Sequence, residues 1–172
     1  MSVPTSIVDF AGGSATWAKA PRLPRTWNLT AKGAVLASLT WPKVLGTLGV
    51  ADAGREVWEF RRTGVFRRRV TVRRPGSDRE LAALAPRWNG TGRLEFPAGR
   101  QFEWRREGFF RPVWSFHAAD GSHLVRFRRS GAFRPRAEVT IESSARRYEE
   151  LPLLVTLGWH LLLLDRHDSA AA

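Results

Sequence analysis

Apolar residues recur at every second position through the middle of the chain, the period of a strand with one face buried and one in water. Trp58 and Phe60 alternate with Glu59 and Arg61. Phe66, Val70 and Val72 oppose Arg67, Arg69, Thr71 and Arg73. Leu94 and Phe96 flank Glu95, and Phe102 and Trp104 flank Glu103. Phe110, Trp114 and Phe116 share a parity, and Val125 and Phe127 alternate with Arg126 and Arg128. Phe133, Ala137, Val139 and Ile141 alternate with Arg134, Arg136, Glu138 and Thr140. The aromatic and β-branched set is assigned to the inside, the arginine set to water. Upstream, "TWNLTA" and "AVLASLTW" read as two strands around Lys32-Gly33. About ten strands follow from this pattern, with one or two more expected in the first 55 residues. "ELAALA" at Glu80 to Ala85 fits a strand or a helix.

One segment departs from period two. "YEELPLLVTLGWHLLLLDRHD" predicts a helix over about 149–164, with Glu149 and Glu150 at its N-terminus and Pro152 in its first turn. Leu151 to Leu164 is apolar nearly all round, so it must be buried on every side. At about 1.5 Å per residue the run falls short of the roughly 20 residues that a bilayer span needs. A core helix is expected, not a membrane anchor. Strands that close on themselves leave no edges, and a wide barrel has an interior to fill. The expected fold is therefore all-β with one helix. It is a closed, mainly antiparallel barrel of about twelve strands around a buried hydrophobic C-terminal helix. Residues 1–24, dotted with proline, read as an irregular arm or edge element. Residues 25–172 read as one domain, expected to be a monomer.

The connections repeat a phrase. Phe60 to Arg67, Trp104 to Arg111 and Phe127 to Arg134 all read aromatic-Arg-Arg-x-Gly-x-Phe-Arg. Glycine at the fifth place supplies the positive φ of a tight turn, so each phrase predicts strand, turn, strand. In a meander, turns alternate between the two ends of the barrel, and the three phrases then share a rim. That rim would carry Arg61, Arg62, Arg67, Arg105, Arg106, Arg111, Arg128, Arg129 and Arg134.

Charge sharpens the picture. The formal net charge is +12 over 172 residues. Residues 55–136 hold 20 Arg and 8 acids, a surplus of 12, while the remainder holds 8 basic and 8 acidic residues. The whole excess lies in the segment that carries the phrases. Cysteine is absent, which excludes disulfides, thiolate metal sites and cysteine nucleophiles. The first 25 residues show no basic stretch followed by an apolar one, so no signal peptide is expected.

From Arg93 to Asp165 the chain resembles a known family. A hairpin-rich β segment leads to "WSFHAADGSHLVRFRR" and then, through an acidic lead, to "LPLLVTLGWHLLLL". This order is similar to the tubby C-terminal-like superfamily, in the style of its LURP-one-related and bacterial uncharacterised members. More distantly it is similar to phospholipid scramblases. The resemblance implies a barrel of about twelve strands around a hydrophobic C-terminal helix. In tubby proper the fold serves as a phosphoinositide-binding, membrane-tethering module, but no lipid-contacting residue matches here one by one. Scramblases carry cysteine-rich acylation segments, which this chain lacks.

Catalytic signals are weak. No histidine has metal-ligand spacing and no serine sits in a nucleophile motif, so neither an enzyme nor a cofactor is expected. His117 and His123 flank the Asp120 turn, close enough to face each other across a hairpin. They are read as ordinary turn-flanking residues with no metal. His160 is read as a satisfied core histidine, and Asp165 and Asp168 as a solvated tail. Function then rests on the arginines. The expectation is a non-enzymatic binding module, cytoplasmic and peripheral to membranes, docking on anionic phospholipid headgroups. Nucleic-acid binding is the alternative, ranked lower because the aromatics are assigned to the core. A structural domain with no ligand at the rim is the remaining reading.

Overall fold

The computed structural model describes residues 6–43, 46–64 and 68–172. Twelve strands follow one another: β1 (Ser14–Lys19), β2 (Thr26–Ala31), β3 (Ala34–Thr40), β4 (Gly49–Asp52), β5 (Val57–Thr63) and β6 (Arg69–Arg73). The second half comprises β7 (Glu80–Pro86), β8 (Gly92–Glu95), β9 (Gln101–Glu107), β10 (Val113–His117), β11 (His123–Ser130) and β12 (Arg136–Ile141). Each strand pairs antiparallel with its neighbours in sequence, and β1 pairs with β12, so the sheet closes. One helix, α1 (Leu151–Ala171), follows the last strand.

The alternation read from the sequence sets which side chains meet the helix. Trp58, Phe60, Val72, Leu94, Phe102, Trp104, Phe116, Val125, Phe127 and Val139 are buried, while Arg61, Arg105, Arg126 and Arg128 on the other parity are exposed. Leu151, Leu154, Val155, Leu157 and Trp159 have no solvent exposure, and Leu161 is half-buried. The helix is apolar on every side because the barrel surrounds it on every side. Indole stacking fixes its rotation. Trp159 lies parallel to Trp17 with centroids 5.8 Å apart and meets Trp27 edge-on at 6.4 Å. No helix among the described residues is long and apolar enough to cross a membrane.

Two readings are corrected and one open choice is decided. The expected arm at 1–24 contains β1, the strand that closes the barrel. Its alternation (Ala15 and Trp17 buried between exposed or half-buried residues) was masked by its shortness and the prolines around it. A 3-10 turn at Ile7–Phe10, capped by Ser6 and Asp9, buries Ile7 and Phe10 beneath the barrel end. "ELAALA" is strand β7, paired on both sides, so the parity of every later turn holds. The helix continues past Leu164 to Ala171, because its last two turns are tied to the barrel wall by ion pairs.

Candidate functional site

An unbroken meander puts alternate connections at opposite ends. The β5–β6, β7–β8, β9–β10 and β11–β12 turns therefore share one rim with the β1–β2 connection. The C-terminal end of α1 emerges at the same rim, where Asp165 and Asp168 reach arginines of β5 and β11.

Over its described residues, the repeated phrase is one structural unit used three times. Its aromatic residue (Phe60, Trp104, Phe127) points into the core. Its first arginine (Arg61, Arg105, Arg128) points outward by strand parity and is exposed. Its second arginine returns to the inward parity, at the height where the barrel mouth opens. There Arg62 grips both carboxylate oxygens of Asp168 at 2.9 and 2.7 Å, and Arg129 meets Asp165 at 2.9 Å. Arg106 lies over the Trp114 ring, 5.6 Å from its centroid. The glycines that follow have φ of +88° (Gly64), +83° (Gly108) and +78° (Gly131).

The arginines thus divide. Arg62 and Arg129, with Arg68 at 2.9 Å from Asp168, lace the helix end to the wall. Arg166 adds to this by donating to the carbonyls of Gly131, Ala132 and Phe133. Partial burial of Asp168 opposes its ionisation. The hydrogen bond and charge of Arg62, with the charge of Arg68, outweigh that and hold the carboxyl below its ordinary range. Asp165 and Asp168 are therefore structural partners rather than the solvated tail expected from sequence. Arg61 has one long contact, 3.9 Å to Glu59. Arg105, Arg106, Arg111, Arg128 and Arg134 have no acidic partner within ion-pair distance among the described residues, and all five are exposed. Arg67 and Phe66 lie outside the described residues.

The rim also carries what the sequence reading placed elsewhere. Trp88, Phe109, Phe110 and Phe133 are 99%, 87%, 92% and 95% exposed. Phe110 and Phe133 were expected to face the core by parity. Alternation does not survive a turn, however: the positive φ of Gly108 and Gly131 breaks the pleat, and the next residues swing outward. Leu23, in the β1–β2 connection, is exposed at the same end. Among the described residues, Val35 is the one exposed large hydrophobic side chain that lies away from this rim. The aromatic tips stand on three successive hairpins, β7–β8, β9–β10 and β11–β12, between and beside the unpaired arginines. Beneath them, between α1 and strands β6, β7, β9 and β10, lies a cavity of about 170 Å³ lined by Val70, Leu84, Trp104, Trp114, Leu161 and Asp168.

A closed antiparallel barrel threaded by its C-terminal helix, with a basic and aromatic rim, is the class that the fold and site define. No family model and no curated protein matches the chain. The chain is similar in fold to a protein from Arabidopsis thaliana known from an X-ray structure. The TM-score is 0.50, the identity 15%, and the alignment covers 89% of this chain and 97% of that one. At that identity the likeness is one of fold.

Proposed function

We propose that the protein is a non-enzymatic module of the tubby C-terminal-like type that docks on anionic phospholipid surfaces through this rim, as a cytoplasmic, peripheral partner of the membrane. The observation that carries the reading is the coincidence of exposed aromatic tips with acid-free arginines at one end of the barrel. A bilayer interface is the environment that rewards both. Aromatic rings favour the headgroup boundary, and each basic side chain near an anionic surface contributes about 1 kcal/mol. The guanidinium fork also suits phosphate, to which it donates two hydrogen bonds at once.

Nucleic acid is the second reading, and the exposed rings favour it more than the sequence did, since arginine and aromatic side chains also hold single strands by stacking. The arrangement argues for a surface: the tips stand on separate hairpins around an arc of the rim, not along a groove that a strand would follow. The test is sedimentation with vesicles of phosphatidylcholine, with and without phosphatidylserine. Binding is expected to the anionic vesicles alone. Replacing Arg105, Arg111, Arg128 and Arg134 with Gln removes charge without touching the arginines that hold α1, and is expected to abolish it. Absence of vesicle binding in the wild type, or binding undiminished in the variant, overturns the reading. Displacement of the protein from vesicles by a short single-stranded oligonucleotide at equal charge, with tighter binding to the oligonucleotide, transfers it to nucleic acid.

A further inference from the structure

On the outer wall, from the rim end of β9 down toward the β10–β11 turn, lies a second cluster. Strands β10 and β11 pair with a register shift between Phe116 and His117, which sets His117 opposite His123. A bulge of this kind re-aims side chains. The two imidazoles lie with centroids 4.1 Å apart. His117 leans along the strand to Ser115, whose hydroxyl meets its Nε2. From the far end of β9, Glu107 reaches down into the same space. Its Oε1 is 3.6 Å from His117 Nε2 and 3.5 Å from His123 Nε2. Ser115 and His117 are both covered, although they sit on the outward parity.

We propose that Glu107, His117 and His123 form a binding site for a divalent transition-metal ion, of which zinc fits the donor set best. Three lines of geometry support it. One ligand atom from each residue lies within 4.8 Å of the other two. Bonds of about 2.0–2.1 Å at tetrahedral angles put ligand atoms about 3.3 Å apart, and both carboxylate–imidazole separations are already within a few tenths of an ångström of that. To close the set, the exposed Glu107 and the half-buried His123 move in, and the Ser115 hydroxyl turns away from His117 Nε2.

The tautomer is also prepared. His117 Nδ1 is 3.1 Å from the Gly121 carbonyl, which can only accept, so Nδ1 carries the proton and Nε2 presents its lone pair inward. A backbone carbonyl on the far nitrogen is the usual way a ligating imidazole is oriented. Without metal, that lone pair accepts from the Ser115 hydroxyl at 2.7 Å. Two neutral imidazoles and one carboxylate leave the ion with a net positive charge and an open position. Arg105, opposite Ser115 on β9, favours an anion such as hydroxide or phosphate in that position. The other flanking arginine, Arg126, is occupied by Glu142 at 3.3 Å.

The experiment is calorimetric titration of chelator-stripped full-length chain with zinc chloride, repeated with Co²⁺ followed by its visible absorption. One ion per chain is expected, with the intense bands of a four-coordinate cobalt site and a raised melting temperature. Glu107→Gln and His123→Ala, which change accessible side chains, are expected to fold as the wild type and to weaken zinc binding at least about tenfold. His167→Ala, on α1 beside Trp41 and outside the β9–β11 cluster, is expected to bind as the wild type. Absence of saturable one-to-one zinc binding, or wild-type affinity in either Glu107→Gln or His123→Ala, overturns the site.

Discussion

His160 shows how far one side chain can bind the molecule to a pH range. It is fully buried in α1, where the Trp41 indole N–H donates to its Nδ1 at 3.2 Å. Its second nitrogen therefore bears the hydrogen, and that group has no partner among the described residues. The sequence suggested a satisfied core histidine; it is half satisfied. Burial, with the charge of Arg62 adding, pushes its pKa down from 6.5 to about 3. As pH falls below 6.5 the unfolded chain takes up a proton that the native chain refuses, so stability present above that pH is lost progressively down to about 3. The loss approaches roughly 1.4 kcal/mol per pH unit. The melting temperature is expected to fall between pH 7 and pH 5, and to fall less in His160→Leu over the same interval. Equal slopes in the two proteins would show that His160 does not set the acid limit.

At the scale of elements, the repeated hairpin and the central helix each depend on a glycine, for different reasons. Gly131 combines a φ of +78° with a site where a Cβ would lie 2.1 Å from the Arg134 carbonyl oxygen. Gly99 has a φ of +93° with nothing within 4 Å. Gly99→Ala is thus expected to cost only left-handed strain, about 1–2 kcal/mol, and Gly131→Ala distinctly more. Urea denaturation of the pair separates strain from collision.

In α1, a Cβ at Gly158 would sit 2.2 Å from the Phe127 ring. Gly158→Ala gains up to about 1 kcal/mol of helix propensity, yet overpacking of this kind costs about 1–3 kcal/mol. A lower melting temperature is the expected result. Leu157, fully enclosed, tolerates no charge, and Leu157→Asp is expected to yield no cooperatively folded protein by near-UV circular dichroism.

At the scale of the whole molecule, charge and closure meet. Asp165 and Asp168 near the rim are committed to holding α1, and Glu107 turns toward two histidines, so the arginines left over face outward together. Vesicle binding through them is expected to weaken steeply as salt rises from about 50 to 500 mM, because the screening length shrinks. Any salt-resistant remainder is expected to vanish in a variant carrying Trp88→Ala, Phe110→Ala and Phe133→Ala, which removes the apolar share of the contact. Co-sedimentation across the salt series reads both.

Much of this was legible in the chain. Period two gave the strands, the all-round apolar run gave the helix, and the meander placed the three phrases together. What stayed hidden depends on turns and on distance in space. No local pattern shows that Phe110 and Phe133 leave the core after a glycine, that Asp168 returns to Arg62, or that Glu107 crosses Ser115 to reach two histidines.

The central helix follows all twelve strands in the chain, and this order bears on biosynthesis. A ribosome delivers the wall before it delivers the filling. Until α1 emerges, the inner faces of the strands, with Trp17, Phe60, Trp104 and Phe127, lack the helix that fills the space between them. Nascent chains stalled before Leu151 are thus expected to be protease-sensitive and to recruit chaperones, with native folding confined to the moments after the helix leaves the exit tunnel. The barrel that looks like a container is, in time, assembled around its last-made part.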